Sequence, residues 1–233
     1  MKYQRNYLSY AIWTPQIRSV VKNRHPSIVC PFDYLTSTHN ATGVTLFSTH
    51  HHSHDIKLLD YAISLITHGE QYPVFLMRDT LRLHPHLPAP ITTLITRHIL
   101  KGSIPMDQSN PRAIFEVSDE IHQVYKQNKP FVVFPGSTRD AQYINEMVPK
   151  VVQLYHSMLE KKIGLDNQVF SPVAVTYDDI GDATISFGNI RSFDEFSRKE
   201  LGDYVFTELI KLTGANRNTL LSAADIAQKI KTR

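Results

Sequence analysis

The feature that most restricts the fold is an alternation of short apolar runs with stretches of helical period. Val44 to Phe47, Tyr72 to Met77, Pro130 to Pro135, Val169 to Tyr177 and Ala183 to Phe187 read as buried strands. Between them lie helix patterns: about 53 to 66, Pro90 to Leu100, Asn110 to Tyr125, and Ala141 to Lys161. A brief strand is expected within Lys101 to Asp107, and helices over about 193 to 212 and 216 to 229. Strands and helices in this rhythm predict an α/β fold. We expect a single layered domain with a mostly parallel central sheet flanked by helices, preceded by an N-terminal helical arm. The arm covers residues 1–38 and the domain 39–233. No repeat or low-complexity tract interrupts the pattern.

The arm has its own chemistry. From Met1 to Phe32 it carries Lys2, Arg5, Arg18, Lys22 and Arg24 and no acidic residue, interleaved with Tyr3, Tyr7, Tyr10 and Trp13. Two readings stand side by side. One is a segment resting on an anionic membrane surface; the other is a helix docking its apolar side on the core. No apolar run is long enough to cross a bilayer, and no signal-peptide core is present. A net charge of +3 is too mild to argue for nucleic acid. The one cysteine, Cys30, allows no internal disulfide, and a reducing, cytoplasmic setting is expected.

Function points to the junction of the first strand and its helix. Twelve histidines are present, and four of them crowd into Thr49-His-His-His-Ser-His-Asp55. Only His50 has an aspartate five residues on, Asp55. A histidine at a strand end and a carboxylate in the next helix's first turn can meet side by side. The carboxylate then holds one imidazole nitrogen and leaves the other to take a proton. Active groups of open α/β sheets gather at the carboxyl ends of strands. His50, Arg78, Asp107 and Arg139 each follow a strand pattern, which would place them on one rim.

These strand-end motifs, in order, resemble the PlsC-like glycerolipid acyltransferases, the family that includes lysophosphatidate acyltransferase. The family's Asn-His-x4-Asp is met by Thr49-His50 and Asp55, and its Gly-x-Ile-Pro/Phe-Val-Asp-Arg by Gly102-Ser-Ile-Pro-Met-Asp-Gln108. Phe134-Pro-Gly-Ser-Thr-Arg-Asp140 stands for Phe-Pro-Glu-Gly-Thr-Arg-Ser, and Ser171-Pro-Val-Ala-Val175 for Val-Pro-Val-Ala. The similarity spans roughly residues 40 to 215. Three departures stand out: Gly136 and Ser137 replace the third block's glutamate and glycine, and Gln108 replaces the second block's arginine.

The resemblance implies transfer of a fatty acyl group from a thioester, acyl-CoA or acyl carrier protein, to a hydroxyl of a lysophospholipid-type acceptor. His50 and Asp55 would be catalytic. Arg78, Gly136, Ser137, Thr138 and Arg139 would bind substrate, the last by pairing with phosphate. The backbone of 136–138 would face the developing oxyanion. No resident cofactor or metal is implied; the partners are the lysolipid, the thioester donor and a membrane surface touched peripherally. Two rivals remain open: a lipid-binding member of the same fold that has lost turnover, and a histidine-rich metal-binding protein using His50, His52 and His54.

Overall fold

The computed structural model describes residues 7–31, 38, 41–50, 52, 54–78, 102–107, 110, 112–136 and 141–214. Helix α1 (Tyr7–Arg24) and strand β1 (Ser27–Val29) precede β2 (Gly43–Ser48), α2 (Asp55–Ile66), β3 (Val74–Arg78) and β4 (Ser103–Met106). There follow α3 (Ala113–Glu116), α4 (Ser118–Lys126), β5 (Phe131–Val133), α5 (Ala141–Lys162), β6 (Gln168–Tyr177) and β7 (Ala183–Phe187). The described chain closes with β8 (Arg191–Ser192), a 3₁₀ turn (Phe193–Glu195) and α6 (Arg198–Thr213). The helices expected over 90–100 and 216–229 lie outside the described residues.

The described strands form one sheet in the order β1-β7-β6-β2-β5-β3-β4. Strands β4, β3, β5, β2 and β6 run parallel to one another in that order, and β1 is parallel to β7. The antiparallel pairs among the described strands all involve β6, which meets β7 along 173–177 and β8 along 169–170. This is the α/β architecture with a mostly parallel sheet that the strand and helix rhythm predicts. Parallel sheets are covered on both faces, which explains why these strands read as continuous apolar runs.

Alternation along each strand divides the core in two. Phe47, Phe131 and Val133 face α3 to α6, packing with Tyr155, Phe170, Phe193 and Val205. Val44, Leu46, Val132, Val173 and Val175 face α1 and α2, packing with Val20, Leu58, Leu59 and Ile63. One buried polar knot interrupts the first layer: the hydroxyls of Thr45, Tyr125 and Tyr155 bond to one another. Burial pushes Tyr125 up to about 12 and Tyr155 well above the usual tyrosine value, so both stay protonated.

The N-terminal arm docks on the domain. Trp13 Nε1 donates to the buried Asp60 carboxylate of α2, and Val20 enters the core. At the end of α1, Arg24 Nη1 donates to Gly181 O at 3.3 Å. His25, in the left-handed region at φ 36°, sets its Nδ1 3.0 Å from Asp182 Oδ1. The chain then enters β1, pairing Ser27 with Thr184. Part of the arm is therefore a strand of the domain's own sheet. Among the described residues, no helix is long and apolar enough to cross a membrane.

Three local differences from the sequence reading have physical causes. The helix expected from 110 to 125 breaks at Val117, where Ser118 Oγ donates to Phe115 O at 2.8 Å and the chain restarts as α4. The helix expected from 193 begins only at Arg198, because Ser197 and Glu200 form a reciprocal capping box. Strands β1 and β8 hold three and two residues, too short for any periodicity to register.

Candidate active site

Parallel pairing brings the ends of β2, β3, β4, β5 and β6 to one rim. The register fixes the details. Phe47 lies opposite Val133, so the residues after β5 flank the residues after β2. Thr49 takes the chain off the sheet: its N–H donates to Val173 O at 3.1 Å, and its Oγ1 accepts the Val175 N–H at 2.9 Å. A side-chain oxygen thus takes over from the backbone ladder, and the next residue, His50, is released at the rim.

His50 Nδ1 lies 3.4 Å from Asp55 Oδ2. The imidazole is 21 % exposed and the carboxylate fully buried. The distance is longer than a well-formed hydrogen bond, as such pairs often are before substrate tightens them. The ring of Phe134, the first residue after β5, covers the imidazole at 4.6 Å between centroids and 33° between planes. Phe75 of β3 in turn stacks on Phe134 at 6.1 Å. Rotation of the imidazole is therefore restricted from both its carboxylate side and its face.

Asp55 is the first residue of α2, where a carboxylate suits the positive end of the helix dipole. Both of its oxygens are also engaged. Oδ2 accepts the His52 N–H at 2.8 Å, and Oδ1 accepts the Tyr177 hydroxyl from the end of β6. Burial alone would raise the Asp55 carboxyl, but His50, the Tyr177 hydroxyl and the His52 N–H together hold it below the ordinary aspartate value. Tyr177 is pushed far above the ordinary tyrosine value, first by burial and then by the Asp55 charge, so it remains a donor. The carboxylate is thus ionised, dry and fixed from three directions.

The other expected residues fall as follows. Arg78 ends β3 with its backbone paired to Met106 of β4. Gly136 is buried and comes two residues after Phe134, whose ring covers the imidazole. Ser137, Thr138, Arg139 and Gln108 lie outside the described residues. His52 and His54 stack on each other at 4.2 Å between centroids, yet among the described residues no three His, Cys, Asp or Glu side chains are grouped to hold a metal ion. Tyr177, Phe134 and Thr49 are the contributions the motif reading does not assign. Tyr177 ends a long apolar run, and nothing local marks it as a partner for a residue 122 positions earlier.

Fold and site define an α/β protein with a histidine–carboxylate pair at the carboxyl rim of a parallel sheet. The chain matches no protein-family model. It matches no curated protein either.

Proposed function

We propose that the protein is an O-acyltransferase of the PlsC-like kind, moving a fatty acyl group from acyl-CoA or acyl carrier protein to a hydroxyl of a lysophospholipid-type acceptor. The observation that carries this reading is the His50–Asp55 pair, its carboxylate buried and held by Tyr177 and the His52 N–H. Because Nδ1 faces Asp55, Nε2 is the nitrogen left to work. It takes the acceptor's hydroxyl proton as that oxygen bonds to the thioester carbonyl carbon. The tetrahedral intermediate then expels sulfur, and the same nitrogen returns the proton to the leaving thiolate. Asp55 offsets the imidazolium formed between the two steps. Proton transfer from a positioned base contributes about 10² to 10⁴ in rate.

Oxyanion stabilisation is assigned to the backbone following β5, beginning at Gly136, since β5 is the neighbour of β2. Arg78 and Arg139 are assigned to phosphate. The resemblance further supports a cytoplasmic protein working at a membrane surface.

The test is thiol release from acyl-CoA and from acyl carrier protein, with a panel of lysolipids, for wild type and His50→Ala. Release by the wild type that falls at least a hundredfold in the variant supports the assignment. Lipid binding without release from any donor overturns it in favour of a non-catalytic lipid-binding protein.

A further inference from the structure

The parallel sheet has a second rim, at the amino ends of its strands, and a cavity opens there. It holds about 520 Å³, within the range of small-molecule sites. It lies where β2 and β6 begin and α4 and α5 end, and its lining includes His122, Tyr125, Lys126, Ile163, Asp166 and Gln168. The length of β2 separates it from His50. That strand runs six residues from Gly43 to Ser48, about 20 Å at the usual rise.

Gln168 is 5 % exposed, and its Nε2 donates to Thr42 Oγ1 at 3.0 Å. Thr42 is anchored in turn, its Oγ1 donating to Asp166 O at 3.0 Å. The carboxamide orientation is thereby set, with nitrogen toward Thr42 and oxygen away from it. That oxygen, Oε1, is buried and has no hydrogen-bond partner among the described residues. It rests between the start of β2 and the Tyr125 ring, since a Cβ on Gly43 would lie 2.1 Å from it and 2.6 Å from Tyr125 Cγ. Leaving a buried acceptor unmatched is costly, and folded proteins leave few.

The charges around the cavity are divided between its walls. Helix α4 contributes His122 and Lys126, one turn apart, and the approach to β6 contributes Asp166. None of the three takes an ion-pair partner among the described residues. The carbonyl ends of helices favour cations, and both α4 and α5 end here. A bare anion drawn to Lys126 would therefore also meet two helix C-termini and Asp166. A molecule that brings an ammonium as well as an oxyanion meets both walls with opposite charge.

We propose that this cavity binds an amino acid or short peptide by its two charged ends. The carboxylate is taken by Lys126 and His122, and the ammonium by Asp166 and Gln168 Oε1. The carboxamide reaches it by rocking about its soft terminal torsion. Ile163 and the Tyr125 ring supply the apolar lining. The site lies at the opposite rim from the His50–Asp55 pair and does not rest on the acyl-transfer reading.

The experiment is calorimetric titration of the full chain near neutral pH with L-alanine, dialanine and trialanine. The Gln168 side-chain amide resonances are followed by NMR. Saturable binding by at least one of the three is expected, with the Gln168 amide shifting, and the tightest of them assigns amino acid or peptide. N-acetylation, which removes the ammonium, and C-terminal amidation, which removes the carboxylate, should each weaken that ligand about tenfold, the scale of one charge-assisted bond. Lys126 and Asp166 are exposed, so their variants should fold. Lys126→Gln should weaken the free ligand about tenfold and leave the amidated one unchanged. Asp166→Asn should do the same and leave the acetylated one unchanged.

No saturable binding at any length, equal affinity for free and capped forms, or wild-type affinity in either variant overturns the site. Thiol release reads the other rim, so the acyltransferase reading stands or falls separately.

Discussion

Replacing Tyr177 by phenylalanine deletes one oxygen and keeps the ring that Arg24 and His52 contact. The loss falls on Asp55, whose side chain is fully buried and whose Oδ1 accepts that hydroxyl. A hydrogen bond to an ionised group is worth about 1.5–3 kcal/mol. We therefore expect the variant to lose about 2 kcal/mol at neutral pH, lowering Tm by about 4–8 °C in a chain of this size. The pH dependence separates this from simple loss of packing. Because the folded Asp55 carboxyl lies below the ordinary aspartate value of 3.8, it adds stability above that pH and loses it as pH falls through the folded value. Without the hydroxyl the folded pKa rises toward the unfolded one. The gap between wild type and variant should then be full at neutral pH and shrink in acid. Urea unfolding at a series of pH values measures it, and an unchanged slope would show that only stability moved. A gap that is the same at every pH, or absent at neutral pH, would refute the role given to Tyr177.

Asp55→Asn removes the charge and turns an amide toward the N–H of His52, so kcat should fall by about 10²–10⁴ in the thiol-release assay. Wild-type kcat in that variant would separate the carboxylate from the chemistry. Gly43→Ala should cost about 1–3 kcal/mol by overpacking, because a Cβ there would sit 2.1 Å from Gln168 Oε1 and 2.6 Å from Tyr125 Cγ. Thermal unfolding reads this directly, and an unchanged Tm means that the β2–α4 contact yields freely. His54 has its folded pKa near 4 against 6.5 unfolded, so the neutral form is favoured in the native state. Its contribution is complete above about 6.5 and is lost as pH falls toward 4, where the unfolded chain binds the proton more readily. His54→Gln should flatten that part of the stability curve; an unaltered slope would contradict the burial of the imidazole.

The sequence made the sheet legible because its strands are buried on both faces, and runs such as Phe131 to Val133 admit little else. It also showed His50 and Asp55, since a strand end and a helix start only five residues apart must be neighbours in space. What it concealed depends on register. Phe134 reaches the imidazole because β5 sits beside β2 in register, and Tyr177 reaches the carboxylate because β6 extends past Ser48 on the other side. Neither follows from local pattern. Arg24 is hidden for a further reason: a basic helix end looks like any solvated terminus until the turn at Gly181 is seen to receive it.

The clasp between the first helix and the turn after β6 ties the earliest described segment to one of the latest. On the ribosome, His50 and Asp55 emerge together, yet the residue that steadies the carboxylate is made more than a hundred residues afterwards. A nascent chain stopped short of residue 168 would carry both members of the pair, Phe134 and the His52 N–H, but not the hydroxyl that completes the hold on the carboxylate. The site should therefore be completed late in synthesis, and a fusion that strains the first helix should disturb the turn after β6 and the strand β7 first.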